Sequence, residues 1–169
     1  MDLQKIAKRA QTSKPYLFML NFFLSRFVPF NKAHRFKVES IGDHHLWVKA
    51  PYRKSNFNHL KGIHACAQAT IAEISSGLLL ISLLNPKNYR LILQKLELEY
   101  LYQAKTDIIA KFEIEADWLE EQVIQPLSKS DKLFVDCPIS LFDLNGHKVA
   151  QAQARWQIKN WQAVKTAIN

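Results

Sequence analysis

A chain of 169 residues, 48% of them hydrophobic and only four of them glycine, is long enough for one compact domain with a full-sized core and cramped for two. A charged fraction of 22% without low-complexity tracts excludes long disordered stretches, and Cys66 and Cys137 are too few and too far apart for a disulfide framework or a zinc site. The net charge of +8, from 23 basic against 15 acidic side chains, biases the surface towards anionic partners, and the cysteine usage points to a reducing cytoplasm.

The chain opens with Lys5, Lys8, Arg9 and Lys14, and Pro15 leads into an apolar run from Tyr16 to Phe30. A secretory signal needs an uninterrupted apolar core and a small-residue cleavage site, whereas Asn21, Ser25 and Arg26 break this run and Val28-Pro29-Phe30 ends it. It is also short for a membrane span. Its aromatics predict an amphipathic helix that caps the domain or makes peripheral membrane contact through residues 16–30.

Strand material follows at Arg35 to Val38 and Leu46 to Ala50, separated by the turn-like Gly42-Asp43 and closed by Pro51. From Gly62 to Leu84 runs the principal helix, stopped by Pro86. Leu91 to Tyr102 and Ile108 to Ala116 alternate apolar with polar side chains as half-buried strands do. A short helical stretch around Trp118 to Gln122 precedes two more strands, Lys132 to Asp143 and Lys148 to Lys159. Asn145-Gly146 between them predicts a type I′ hairpin turn. The order is α+β: a helical extension over 1–30 and a core over 31–169, making a single domain over 1–169. The simplest packing is an antiparallel sheet around one long helix. Without βα alternation or a glycine-rich phosphate loop, Rossmann and P-loop nucleotide sites are excluded, and no nucleic-acid recognition motif accompanies the positive charge.

Between Gly62 and Pro86 the only formally charged side chain is Glu73. A helix this apolar is buried on most sides, and its small residues Ala65, Ala69, Ala72, Ser76 and Gly77 allow a sheet or a second helix to approach closely. A carboxylate in such surroundings costs several kcal/mol unless it is paired, hydrogen-bonded or protonated. Either burial tunes Glu73 for general-base chemistry, or it emerges at a dimer seam or pairs with a lysine from the sheet.

Asn58 stands six positions before His64 and Glu73 nine after it, with Gly62 in the turn between. This arrangement resembles the hotdog-fold thioesterases of the phenylacetate-pathway type and their relatives of unknown function. In that family an Asn precedes a His-Gly-Gly turn by six positions, and an Asp or Glu follows the histidine by nine. The likeness spans roughly Phe36 to Ile158. Ala65 and Cys66 replace the two glycines, and Gln103 replaces a proline before Ala104. The resemblance implies a hotdog fold, an antiparallel β-sheet wrapped around one long central helix. It implies an acyl-CoA thioesterase acting on an acyl-CoA or other acyl thioester, as a homodimer or homotetramer whose sites draw on opposite subunits. Backbone N–H groups around Ala65 would hold the oxyanion, and Glu73 would activate water or attack directly. Asn58 would orient the water or the carbonyl, and His64 would fix the turn. No metal is implied, and no cofactor beyond the coenzyme A of the substrate. The alternative is a non-catalytic acyl- or lipid-binding module using the same cleft. Cys66 beside His64 has the residue types of a thiolate nucleophile, but neighbours on a helix point apart, and a small buried cysteine is the expectation.

Overall fold

Two prolines and two short breaks shape the amino-terminal segment, which forms three helices where the sequence predicts one. The computed structural model describes residues 3–164; positions 1–2 and 165–169, the ends of the expected 1–169 domain, lie outside the described residues. Helix α1 spans Leu3–Ala10, α2 Lys14–Phe27 and α3 Pro29–His34. Pro15 enters the first turn of α2, where its missing N–H costs nothing. Pro29 does the same for α3 and forces Val28 out of helical geometry, to φ −114° and ψ 88°, which separates α2 from α3. Arg35, in the left-handed region at φ 55°, ends α3 by donating its N–H to the Asn31 carbonyl at 2.8 Å.

Strands β1 (Lys37–Ile41) and β2 (His45–Ala50) form a hairpin, and helix α4 (Ala65–Leu83) follows. Then come β3 (Tyr89–Tyr100), β4 (Ile108–Glu113), α5 (Gln125–Lys129), β5 (Lys132–Asp143) and β6 (Lys148–Asn160). The six strands of the described residues make one sheet in the order β1-β2-β4-β5-β6-β3, with every neighbouring pair antiparallel. This is the hotdog architecture: the sheet curls around α4, which packs on β2 and β4 and also touches β3, β5 and β6. By length and composition α4 could cross a membrane, but more than half of it is buried as the core helix.

Local departures have local causes. The helix starts at Ala65 rather than Gly62, because Lys61 is left-handed (φ 57°) and His64 extended, at φ −63° and ψ 143°. Strand β3 pairs with β6, the last strand, so its connection to β4 crosses from the sheet edge past the amino end of α4. A bulge between Leu93 and Lys95 shifts the alternation by one residue. Leu91 and Leu93 therefore share their inward face with Leu96 and Leu98. The helical stretch predicted around 118–122 is a wide π-type turn, Glu120–Ile124, running into α5; Pro126 has no N–H to offer the carbonyl four residues back. The β5–β6 hairpin is not type I′. Asp143 N–H meets the His147 carbonyl at 3.0 Å across a loop in which only Gly146 is left-handed, at φ 86°.

Candidate active site

The loop before α4 is built around two asparagines. Asn56, 1% exposed, sends its Nδ2 to the carbonyls of His34 and Pro51 and its Oδ1 to His34 Nδ1, tying α3 to the loop. Asn58 Oδ1 accepts from the backbone N–H groups of Leu60 (3.0 Å) and Gly62 (2.9 Å). Two backbone donors on Oδ1 fix the amide's orientation, so its Nδ2 is left as a donor for anything entering the adjacent cavity. Gly62 permits a close approach, since a Cβ there would lie 3.1 Å from the Gln103 side chain and 3.3 Å from the Ala104 carbonyl. His64 caps the helix: its N–H donates to the Asn56 carbonyl, and its Nδ1 accepts from Cys66 N–H at 3.0 Å. In the neutral ring the proton therefore sits on Nε2. Ala65 N–H, in the first turn, has no helical partner and stands at the positive end of a 19-residue helix.

A cavity of about 310 Å³ opens over this end, lined by Asn58, Ala65, Gln68, Tyr100, Tyr102 and Gln103 among others. Tyr100 closes one side through a 3.3 Å hydrogen bond to the Ala65 carbonyl, and burial pushes its phenol pKa up, with the charge of Cys66 adding to the effect. Gln68 is 5% exposed; its Nε2 donates to the Ile63 carbonyl, which leaves Oε1 buried with no partner among the described residues.

Glu73 lies eight residues beyond Ala65, about 12 Å along the helix axis. It opens into a second and larger cavity of about 780 Å³, walled by Leu20, Phe23, Phe27 and Phe30 of the amino-terminal helices and by Ile74 and Trp156. The Glu73 carboxylate has no hydrogen bond or ion pair among the described residues, and burial raises its pKa. The lysine partner that a structural ion pair requires is thus not supplied by the described residues. Asn31, 4% exposed, faces the same cavity with its side-chain amide unbonded among the described residues. Trp156 reaches the helix because position 77 is glycine; a Cβ there would lie 2.6 Å from its ring. The indole N–H donates to Ser76 Oγ at 2.9 Å.

Asn58, His64 and Ala65 are therefore brought together at the helix end, and Glu73 is not brought to them within one chain. Cys66 is exposed, contrary to expectation, as are His64 and Ala65 before it at the start of α4. Its backbone N–H, not its thiol, is the group that engages His64. Cys137 is buried, its thiol pushed up to about 12 mainly by that burial. Among the described residues no three His, Cys, Asp or Glu side chains cluster as metal ligands. Gln68 and Asn31 were not legible as site residues. Gln68 offered one usable signal, a long polar side chain that shares with Glu73 a helix otherwise built of small and apolar ones.

A hotdog sheet, a central helix with one carboxylate and an uncovered amino terminus define the class. The chain belongs to the family described as Domain of unknown function (DUF4442), whose model matches residues 18–158. No curated protein matches it in sequence. Among solved structures, it resembles a Pseudomonas aeruginosa protein of unknown function described as a probable thioesterase, at 21% identity and a TM-score of 0.76, over 85% of this chain and 95% of that one. A Haemophilus influenzae thioesterase matches at 10% identity and a TM-score of 0.70, over 89% of this chain and 94% of that one. A mutant thioesterase from Pseudomonas aeruginosa matches at 13% identity and a TM-score of 0.69, over 89% and 99%. At such identities the likeness establishes the fold.

Proposed function

We propose that the protein is a cytoplasmic acyl-CoA thioesterase that works as a homodimer, with Glu73 as its base or nucleophile. The observation that carries this reading is the state of Glu73: an unpartnered carboxyl, its pKa raised by burial, in a largely apolar cavity large enough for an acyl chain. On the base route, Glu73 takes a proton from water as the water oxygen adds to the thioester carbonyl carbon. The oxyanion accepts hydrogen bonds from Ala65 N–H and Asn58 Nδ2, and His64 holds the turn that presents them. The C–S bond then breaks, and the thiolate of coenzyme A leaves with the proton returned by Glu73. On the nucleophile route, a Glu73 oxygen adds instead, the thiolate leaves, and water hydrolyses the mixed anhydride.

Two copies are needed because about 12 Å of helix separates Ala65 from Glu73, far beyond the roughly 3 Å of a proton transfer. Strand β3 supplies an edge for them: twelve residues long and unpaired on its outer side among the described residues. The outer sheet face carries Lys95–Glu97 and Arg155–Asp136 ion pairs and a Gln151–Glu99 hydrogen bond, which favours a dimer over a tetramer stacked back to back.

The test is release of free coenzyme A from a panel of acyl-CoAs, followed with a thiol-reactive dye at enzyme concentrations low enough that exposed Cys66 adds no signal. Turnover abolished by Glu73→Gln is expected. Absence of turnover on every acyl-CoA, with melting raised by one of them, would replace this reading with the acyl-binding module.

A further inference from the structure

The charge of this chain is not spread over it. Between residues 3 and 38 stand eight lysines and arginines and no acidic residue, whereas the fifteen basic side chains elsewhere are matched by fifteen acidic ones. The whole net charge therefore belongs to the helical cap α1–α3 and the start of β1. The same cap carries the two most exposed aromatics of the described residues, Phe18 at 74% and Phe27 at 67%, with Phe22 at 55%. Phe18 and Phe22, one helical turn apart, share a shallow groove with Lys32, Arg35 and Lys37. None of these three cations has an acidic partner among the described residues.

We propose that this face docks on an anionic lipid surface, with Phe18 and Phe22 entering the interface between headgroups and acyl chains and Lys32, Arg35 and Lys37 held at the headgroup level. Exposed phenylalanines flanked by unpaired cations match such a surface in both polarity and charge. Docking of a second copy through the same face would bring two wholly basic caps together, which like-charge repulsion opposes. Nucleic acid would satisfy the charge, but the groove's neutral polar side chains, Asn21 and Ser25, are already bonded to the chain's own backbone, and the phenylalanines lie along one helix face rather than interleaved with the cations.

The Glu73 cavity lies against the opposite face of α2. Phe27 and Phe30 are exposed at one end and line that cavity at the other, while Phe18 and Phe22 lie outside it.

Vesicle binding tests the docking without any substrate, so its failure is separable from failure of catalysis. The full chain is sedimented with vesicles of phosphatidylcholine alone and of an equal mixture with phosphatidylglycerol. Binding to the mixed vesicles, weakened by salt and much weaker to phosphatidylcholine, is the expected result. Phe18→Ser/Phe22→Ser, and separately Lys32→Glu/Arg35→Glu, should each lower partitioning by about tenfold or more while melting temperature and subunit mass stay unchanged. Wild-type protein left in the supernatant would overturn the proposal, and so would variants that bind as well as wild type. A change in subunit mass in the phenylalanine variant would reassign the face to contact between copies, and binding to single-stranded RNA but not to vesicles would reassign it to nucleic acid.

Discussion

Replacing Glu73 by Gln changes one charge and almost no volume. The carboxyl is half-buried in an apolar cavity without a partner among the described residues, and burial raises its pKa. If Glu73 is the base or nucleophile, its loss should lower thioester turnover by roughly a hundredfold or more, about 2.7 kcal/mol of barrier. Stability should move the other way, because the amide removes a charge that folding partly desolvates. The carboxylate keeps some contact with solvent, and screening holds the gain to about 1 kcal/mol or less. That corresponds to a rise in Tm of at most roughly 2–4 °C for a chain of this size. The pH dependence gives a second signature. With its pKa raised by folding, Glu73 binds its proton more tightly in the folded than in the unfolded chain. Wild-type stability should therefore fall as pH climbs from the ordinary value of 4.5 through the raised one. Glu73→Gln lacks that slope, so the Tm difference should be small below pH 4.5 and open above it. Activity and melting must be read on the same samples. A variant that hydrolyses at the wild-type rate yet melts roughly 6 °C or more earlier, as when a basic partner is left unpaired, would refute the reasoning.

Three further outcomes follow from the packing. A thiol reagent should titrate Cys66 alone in the native chain and Cys137 only after denaturation, because Cys137 is fully buried with its thiol pushed up to about 12; rapid native labelling of both would contradict the β5 register. Gly77→Ala places a methyl group 2.6 Å from the Trp156 ring and should cost about 1–3 kcal/mol in urea unfolding, with a neutral result showing that the ring is not seated there. Co-expressing the Asn58→Ala and Glu73→Gln chains should restore about a quarter of wild-type turnover, since random pairing makes half the dimers mixed and each mixed dimer has one intact site. No recovery would place both halves of the site in one subunit.

Periodicity exposed most of the fold. β5 has the predicted bounds and β6 differs by one residue, because alternation is strict there and turn residues flank both strands. α4 was visible as a proline-free apolar segment, but its first turn was not. Whether Gly62 and Ile63 belong to the helix depends on a left-handed Lys61 and on His64 turning back to cap Cys66. Those are choices made by the loop that crosses from β3, not by local propensity. The pairing of β3 with β6 was equally hidden, since each strand satisfies the same two-residue period whichever neighbour it takes. In the amino-terminal segment the apolar count suggested one helix, and the backbone restrictions of Pro29 outweighed it.

The residue types of the proposed site are visible in the sequence, and the helix between them sets where they stand. Nine positions from His64 to Glu73 read along a sequence as one constellation, yet on a helix eight residues from Ala65 to Glu73 are about 12 Å of rise and roughly 80° of rotation. The two ends consequently open into different cavities, one of mixed polarity and bounded by the loop from β3, the other apolar and roofed by the amino-terminal helices. On the proposed reading the first takes a thioester carbonyl and the second an acyl chain, and within one chain Glu73 does not reach that carbonyl. Closing the gap within the chain would mean unwinding a helix whose middle is anchored by Ile71, Ala72, Ser75 and Ser76, all fully buried. That is costlier than pairing two copies along the open edge of β3, where every backbone hydrogen bond formed replaces one to water. On the proposed reading, the rigidity that makes α4 a good core also leaves each subunit with two half-sites and puts the assembly of the chemistry at the interface between subunits.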